Sequence, residues 1–184
     1  MRKNRLYIII YIWALVLMVS MLVACSSTSA LKEGEQLFTG LKPIEYTHYE
    51  KSAYADSTIL EMESALASAP NGALFGSSYY RTPFPVRLWI WNAFSGSEGA
   101  IGKWITKAFG SKPKLMSNVN PQLRAQIAEM QLDKYGYFNG KVGYDVVTGS
   151  NPKKAKVAYH VDFGHLWTLD TVKYLGFPEA AWHL

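Results

Sequence analysis

Val142-Gly143-Tyr144-Asp145-Val146-Val147-Thr148, the turn Gly149-Ser150-Asn151-Pro152, and then Ala155-Lys156-Val157-Ala158-Tyr159-His160-Val161-Asp162-Phe163 decide the fold class. In the first limb Val142, Tyr144 and Val146 alternate with Gly143, Asp145 and Val147. In the second, Ala155, Val157, Tyr159, Val161 and Phe163 alternate with Lys156, Ala158, His160 and Asp162. A period of two is the pitch of a strand, and two such runs around a Gly/Asn/Pro turn predict a β-hairpin. One face is expected to pack on helices and the other to meet water.

Upstream of the hairpin, Asn120-Pro121 offers an N-cap and a first-turn proline. Leu123, Ile127 and Met130 recur at helical spacing as far as Tyr135-Gly136, where glycine supplies a stop. A second helix is predicted from Asp56 or Ser57, carried by Ile59, Leu60, Met62, Leu66 and Ala69 and ended by Pro70-Asn71-Gly72. Glu61 and Glu63 suit the positive end of that helix dipole. Leu37 to Tyr49 reads as one extended segment. The expected fold is therefore α+β, ordered strand, helix, helix, strand, strand.

Residues 73–119 interrupt that order with aromatic side chains. Trp89 to Phe94 and Ile101 to Phe109 read as two short helices joined by Ser95-Gly96-Ser97-Glu98-Gly99. In the second, Ile101, Trp104, Ile105, Ala108 and Phe109 share a face beside Lys103 and Lys107. That face suits a membrane or a partner helix, but amphipathic helices more often close over their own core, and that is the expectation here.

The N-terminus has a different character. Arg2, Lys3 and Arg5 precede an uncharged apolar stretch from Leu6 to Val23, and Leu22-Val23-Ala24-Cys25 ends it at the chain's single cysteine. This pattern resembles a bacterial lipoprotein signal, with residues 1–24 as signal peptide and Cys25 as the acylated new N-terminus. The rival is a membrane anchor, since 18 apolar residues span a bilayer marginally. The uncharged exit Ser26-Ser27-Thr28-Ser29 favours a tether, with residues 25–36 as a lipidated linker. The leader also holds three of the 19 basic residues, so the remaining chain has 16 basic against 14 acidic side chains. Its net charge falls from +5 to +2, and nucleic-acid binding loses its compositional support. One cysteine allows no disulfide within the chain.

Enzyme chemistry finds few parts. His48, His160, His165 and His183 lack metal-ligand spacing. Ser95-Gly96-Ser97-Glu98-Gly99 has serine where a nucleophile elbow needs its first glycine. Glu61 and Glu63, two apart on a helix, face different directions and read as solvated surface. The glycines at 72 and 76 lack the lysine-serine ending of a phosphate loop. The expectation is a non-enzyme without cofactor or metal.

With Leu132-Asp133-Lys134-Tyr135-Gly136-Tyr137-Phe138 leading into the hairpin and Tyr174-Leu175-Gly176-Phe177 opening a further unit, the order resembles polypeptide-transport-associated (POTRA) repeats. These precede the barrel in outer-membrane assembly proteins of the BamA/TamA superfamily. Together with the Cys25 signal, Leu37-Phe38-Thr39-Gly40-Leu41 and the stretch from Pro70 to Arg81 are similar to the lipidated, TamL-like branch of Bacteroidota. The resemblance covers the chain after the leader. It implies a POTRA-like domain over 37–165 with an insertion at about 73–119, and the first strand of a second, truncated module over 166–184, with the barrel missing.

The function so implied is outer-membrane protein assembly or translocation by β-augmentation. Clients would be unfolded outer-membrane proteins or other envelope assembly proteins, paired along the edge strand Lys141 to Thr148. Val142, Tyr144 and Val146 would face one side, with Gly143 allowing close backbone approach. A plain, protected edge strand is the bland alternative. The resemblance implies a lipid-anchored protein of the outer membrane, and because surface-exported lipoproteins of Bacteroidota resemble one another in acidic residues after the cysteine while no acidic run follows Cys25, it is expected to face the periplasm. The alternatives are a structural envelope lipoprotein that tethers partners, or a lipid-anchored enzyme sited among the aromatic residues 79–109.

Overall fold

A computed structural model describes residues 11–13, 15 and 27–173 of the 184-residue chain. In chain order the elements are β1 (Leu37–Leu41), β2 (Glu45–Thr47), α1 (Ala53–Leu66), a 3-10 turn at Leu74–Gly76, α2 (Val86–Phe94), α3 (Ala100–Phe109), α4 (Met116–Val119), α5 (Pro121–Lys134), β3 (Lys141–Thr148) and β4 (Lys154–Asp162). The protein is mixed α+β, and the predicted hairpin is its centre.

β4 is the middle of the sheet. β3 runs antiparallel along one side, in register from Lys141 opposite Asp162 to Thr148 opposite Ala155. Along the other side β1 and β2 follow one another, both parallel to β4. The single extended segment expected over Leu37 to Tyr49 is thus two strands laid end to end. Lys42 makes the last bond of the first part, donating to the Val157 carbonyl at 2.8 Å, and Pro43 then lacks a donor. The register also slips between Phe38 and Leu41, where Gly40 has φ +118° and a Cβ would stand 2.8 Å from the Ser78 carbonyl oxygen. Only glycine suits that bulge.

α1 starts at Ala53, earlier than the predicted Asp56 or Ser57, because Ser52 caps it: the Ser52 hydroxyl accepts from the Ala55 amide at 3.1 Å. Glu61 and Glu63 therefore lie in mid-helix, away from the N-terminal dipole. α5 begins as the sequence predicts. Asn120, at φ +46°, caps Leu123 with its side chain, Pro121 opens the first turn, and Gly136 at φ +84° follows the end.

The face of α5 that meets the core is another matter. Leu123, Ile127 and Met130 are exposed, and the buried positions are Ala125, Ala128 and Leu132. Small residues let α5 approach α1 and the sheet closely, so packing favours alanines over the larger periodic side chains. Arg124 joins the two helices. Its Nη1 donates to the Ala65 and Ala67 carbonyls at 2.9 and 2.8 Å, satisfying the C-terminal end of α1, and its Nε donates to Val119 at 3.0 Å.

These helices cover one sheet face over a core that includes Phe38, Met62, Leu66, Val157, Val161 and Phe163. On the open face Lys156 and His160 are exposed, as expected. Ala158, expected there too, is buried, since a methyl group on a strand with neighbours on both sides is screened by them. A second small cluster, Leu31, Leu37 and Leu88 with Leu115 against it, ties the segment before β1 to α2. Leu31, inside the expected linker 25–36, is therefore packed on the body of the protein.

Tyr11, Ile12, Trp13 and Leu15 are helical and exposed. Among the described residues no helix is long and apolar enough to cross a membrane. Cys25 lies outside the described residues. Of the further strand expected from Leu169 to Phe177, residues 169–173 carry no strand assignment, and residues 174–177 lie outside the described residues.

Candidate functional site: the outer edge of the hairpin

Hydrogen bonds on β4 determine which way each residue of β3 turns its main chain. Leu37 and Lys42 donate to the carbonyls of Lys153 and Val157, and the Phe163 amide donates to Thr47. Odd-numbered residues of β4 thus bond toward β1 and β2, and even-numbered ones toward β3. In the observed register the β3 residues facing β4 are Lys141, Gly143, Asp145 and Val147. Val142, Tyr144, Val146 and Thr148 turn their amides and carbonyls outward, and among the described residues no other strand lies along that side.

Three of the four predicted edge residues, Val142, Tyr144 and Val146, therefore present main-chain groups at the free edge. They are not equivalent. The Val142 amide donates to Glu129 Oε1 of α5 at 3.0 Å, so its donor is taken. Tyr144 and Val146 carry the open donors. Gly143 turns its main chain into the ladder, and a Cβ there would find only the His160 carbonyl oxygen at 3.9 Å. Close approach does not require glycine at 143. The side chains also divide: Val142 is buried under α5, whereas Tyr144 and Val146 are exposed, in contrast to the expected uniform packing of that face. No sequence signal marks Glu129 as the group that closes the edge at Val142.

The open sheet face beside this edge carries an ordered row of charge. His160 Nδ1 stands 3.1 Å from Glu45 Oε2 and its Nε2 2.9 Å from Asp145 Oδ2, linking β2, β4 and β3. His48 Nδ1 is 2.7 Å from Asp162 Oδ1, and this bond, with the Gly164 amide, holds the Asp162 carboxyl below the ordinary range. Among the described residues no group of three His, Cys, Asp or Glu side chains could hold a metal ion.

Glu61 and Glu63, read from sequence as solvated, each have partners. Glu61 accepts from the Tyr135 hydroxyl and from Lys134 Nζ at 3.0 Å, and these bonds lower its carboxyl pKa. Glu63 accepts from the Tyr46 hydroxyl, a bond that fixes β2 on α1. Burial, then that carboxylate, pushes the Tyr46 phenol far upward.

The aromatic segment forms the two predicted helices, with one correction. α2 and α3 pack mainly on each other, with Leu88 holding α2 to the body. The apolar face of α3 does not close over the core. Ile101 is 75% exposed, Trp104 62% and Phe109 51%, and the buried residue of α3 is Gly102. A Cβ at Gly102 would stand 2.1 Å from the Ser97 hydroxyl, so the residue of closest packing is the one without a side chain. At the foot of α2 an open cavity of about 700 Å³ is lined by Asn71, Phe84, Arg87, Lys112 and Lys114 among others.

Comparison with protein-family models, curated proteins and solved structures finds no match to this chain.

Proposed function

We propose that this chain is the N-terminal part of an envelope assembly lipoprotein whose POTRA-like module takes extended segments of unfolded outer-membrane proteins by β-augmentation. The observation that carries the reading is the outer edge of β3, where Tyr144 and Val146 offer main-chain donors and acceptors beside exposed side chains. A client strand pairing there would gain main-chain bonds and set alternate side chains against those two residues. The order β1/β2, α1, α5, β3, β4 supports the POTRA-like reading, with α2 to α4 as the insertion. On this reading Cys25 carries the lipid, the module faces the periplasm from the outer membrane, and the chain performs no catalysis. A stable tether to another envelope protein is the second reading, favoured by the exposed Leu123, Ile127 and Met130 on α5.

The test is a pair of prolines one residue apart in the full chain. Val146→Pro removes an outward donor from an edge, a position where proline is tolerated, and should leave the circular dichroism native. Binding of an extended barrel-strand peptide should fall at least about tenfold, the equivalent of one main-chain bond. Asp145→Pro removes an inward ladder bond to Ala158 and should destabilise the domain by about 2–4 kcal/mol. Unchanged peptide binding by a native-like Val146→Pro protein would reject the edge mechanism.

A further inference from the structure

The segment from Arg81 to Lys114, which contains α2 and α3, carries a charge that the rest of the protein does not. Between residues 81 and 114 there are six Lys or Arg side chains and one acidic residue, Glu98. Over the remainder of residues 25–184 there are ten basic and thirteen acidic side chains, so an inserted segment of net +5 rides on a body of net −3. The same segment exposes Ile101, Trp104 and Phe109 on α3 and Phe84 and Val86 before and within α2. Exposed apolar patches rimmed by polar groups mark interaction surfaces.

From these two features together we infer that α3 lies in the headgroup boundary of an anionic lipid bilayer, as a second membrane contact separate from the N-terminus. Ile101, Trp104, Ala108 and Phe109 enter the interface, and Trp104 suits it because its ring has an apolar body and a polar nitrogen. Lys103 and Lys107 flank the face and reach headgroup phosphates while their stems cover apolar surface. Arg87 of α2 and Lys112, which follows α3 in the chain, add cationic groups at the open cavity beside α2. A neutral partner would use the aromatic face alone and leave the sixfold excess of basic over acidic residues unmatched. A lipid surface uses both.

The experiment keeps the full chain. In a Cys25→Ser background, Ala108→Cys on α3 or Ser57→Cys at an exposed position of α1 carries an environment-sensitive fluorophore. Each protein, held by its own N-terminus, is placed on vesicles of about two parts phosphatidylcholine to one of phosphatidylglycerol, or of phosphatidylcholine alone. We expect the label at 108 to move to an apolar environment and be quenched by lipid-borne quenchers on the anionic vesicles, while the label at 57 stays aqueous. Neutralising Lys103 and Lys107 to Gln should lower the docked-to-undocked ratio about 25-fold, at roughly fivefold per charge near a membrane surface. A label at 108 that stays aqueous on anionic vesicles, in protein of native circular dichroism, overturns the proposal. So does an apolar signal equal on both vesicle types and in the neutralised variant, which assigns the face to the leader, a second copy or another protein. Because the reporter sits on α3, this result stands or falls independently of client pairing at β3.

Discussion

Tyr159 is fully buried at the centre of β4, and its hydroxyl has no hydrogen-bond partner among the described residues. Burial pushes the phenol up to about 12. Tyr159→Phe deletes the unpaired hydroxyl and keeps the ring, so it should recover part of the cost of an unsatisfied buried polar group, about 1–2 kcal/mol. In a domain of this length that is a rise in Tm of about 3–6 °C. The pH dependence follows in sign. A folded pKa raised above its unfolded value keeps the native state protonated between about 10 and 12, where the unfolded chain releases its proton. The native protein therefore loses stability as pH rises through that window, by up to about 1.4 kcal/mol per unit from this group, and the variant lacks that component. Thermal denaturation of both proteins at pH 7 and at pH 10.5 measures each effect. A variant less stable than the native protein by more than about 1 kcal/mol would show that the hydroxyl has a partner, and the reasoning would fail.

Two further outcomes are expected. Arg124→Ala leaves the Ala65 and Ala67 carbonyls at the end of α1 without their donor and should cost about 2–4 kcal/mol in denaturant unfolding, with Arg124→Lys recovering only part, since one ammonium replaces a planar fork. Cys25→Ser should abolish fatty-acid incorporation and leave the leader uncleaved, and equal labelling of the variant would end the lipoprotein reading.

The parts of this fold legible in sequence are those whose signals are local. The hairpin announces itself because Ala155 to Phe163 alternate without a break, and the start of α5 because Asn120-Pro121 is both cap and first turn. Where neighbours decide, the sequence misleads. Leu123, Ile127 and Met130 keep helical spacing, yet the close contact of α5 is made by Ala125 and Ala128, which periodicity of large side chains overlooks. The amphipathic pattern of α3 is real, but whether such a face is covered depends on what packs there, and within α3 only Gly102 is buried. At the candidate site the strand and its edge residues are visible from alternation. The direction of each amide is not, because it depends on the bonds β4 makes with β1 and β2, and Glu129 reaches Val142 from another element.

Amide hydrogen exchange along β3, with and without a saturating extended client peptide, tests the account at its centre. The free protein should show slow exchange at Gly143, Asp145 and Val147, whose amides bond to β4, and fast exchange at Tyr144 and Val146. Client pairing along the edge should slow Tyr144 and Val146 and leave the inward set unchanged. Bound peptide with Tyr144 and Val146 still exchanging at the free rate would contradict the edge mechanism.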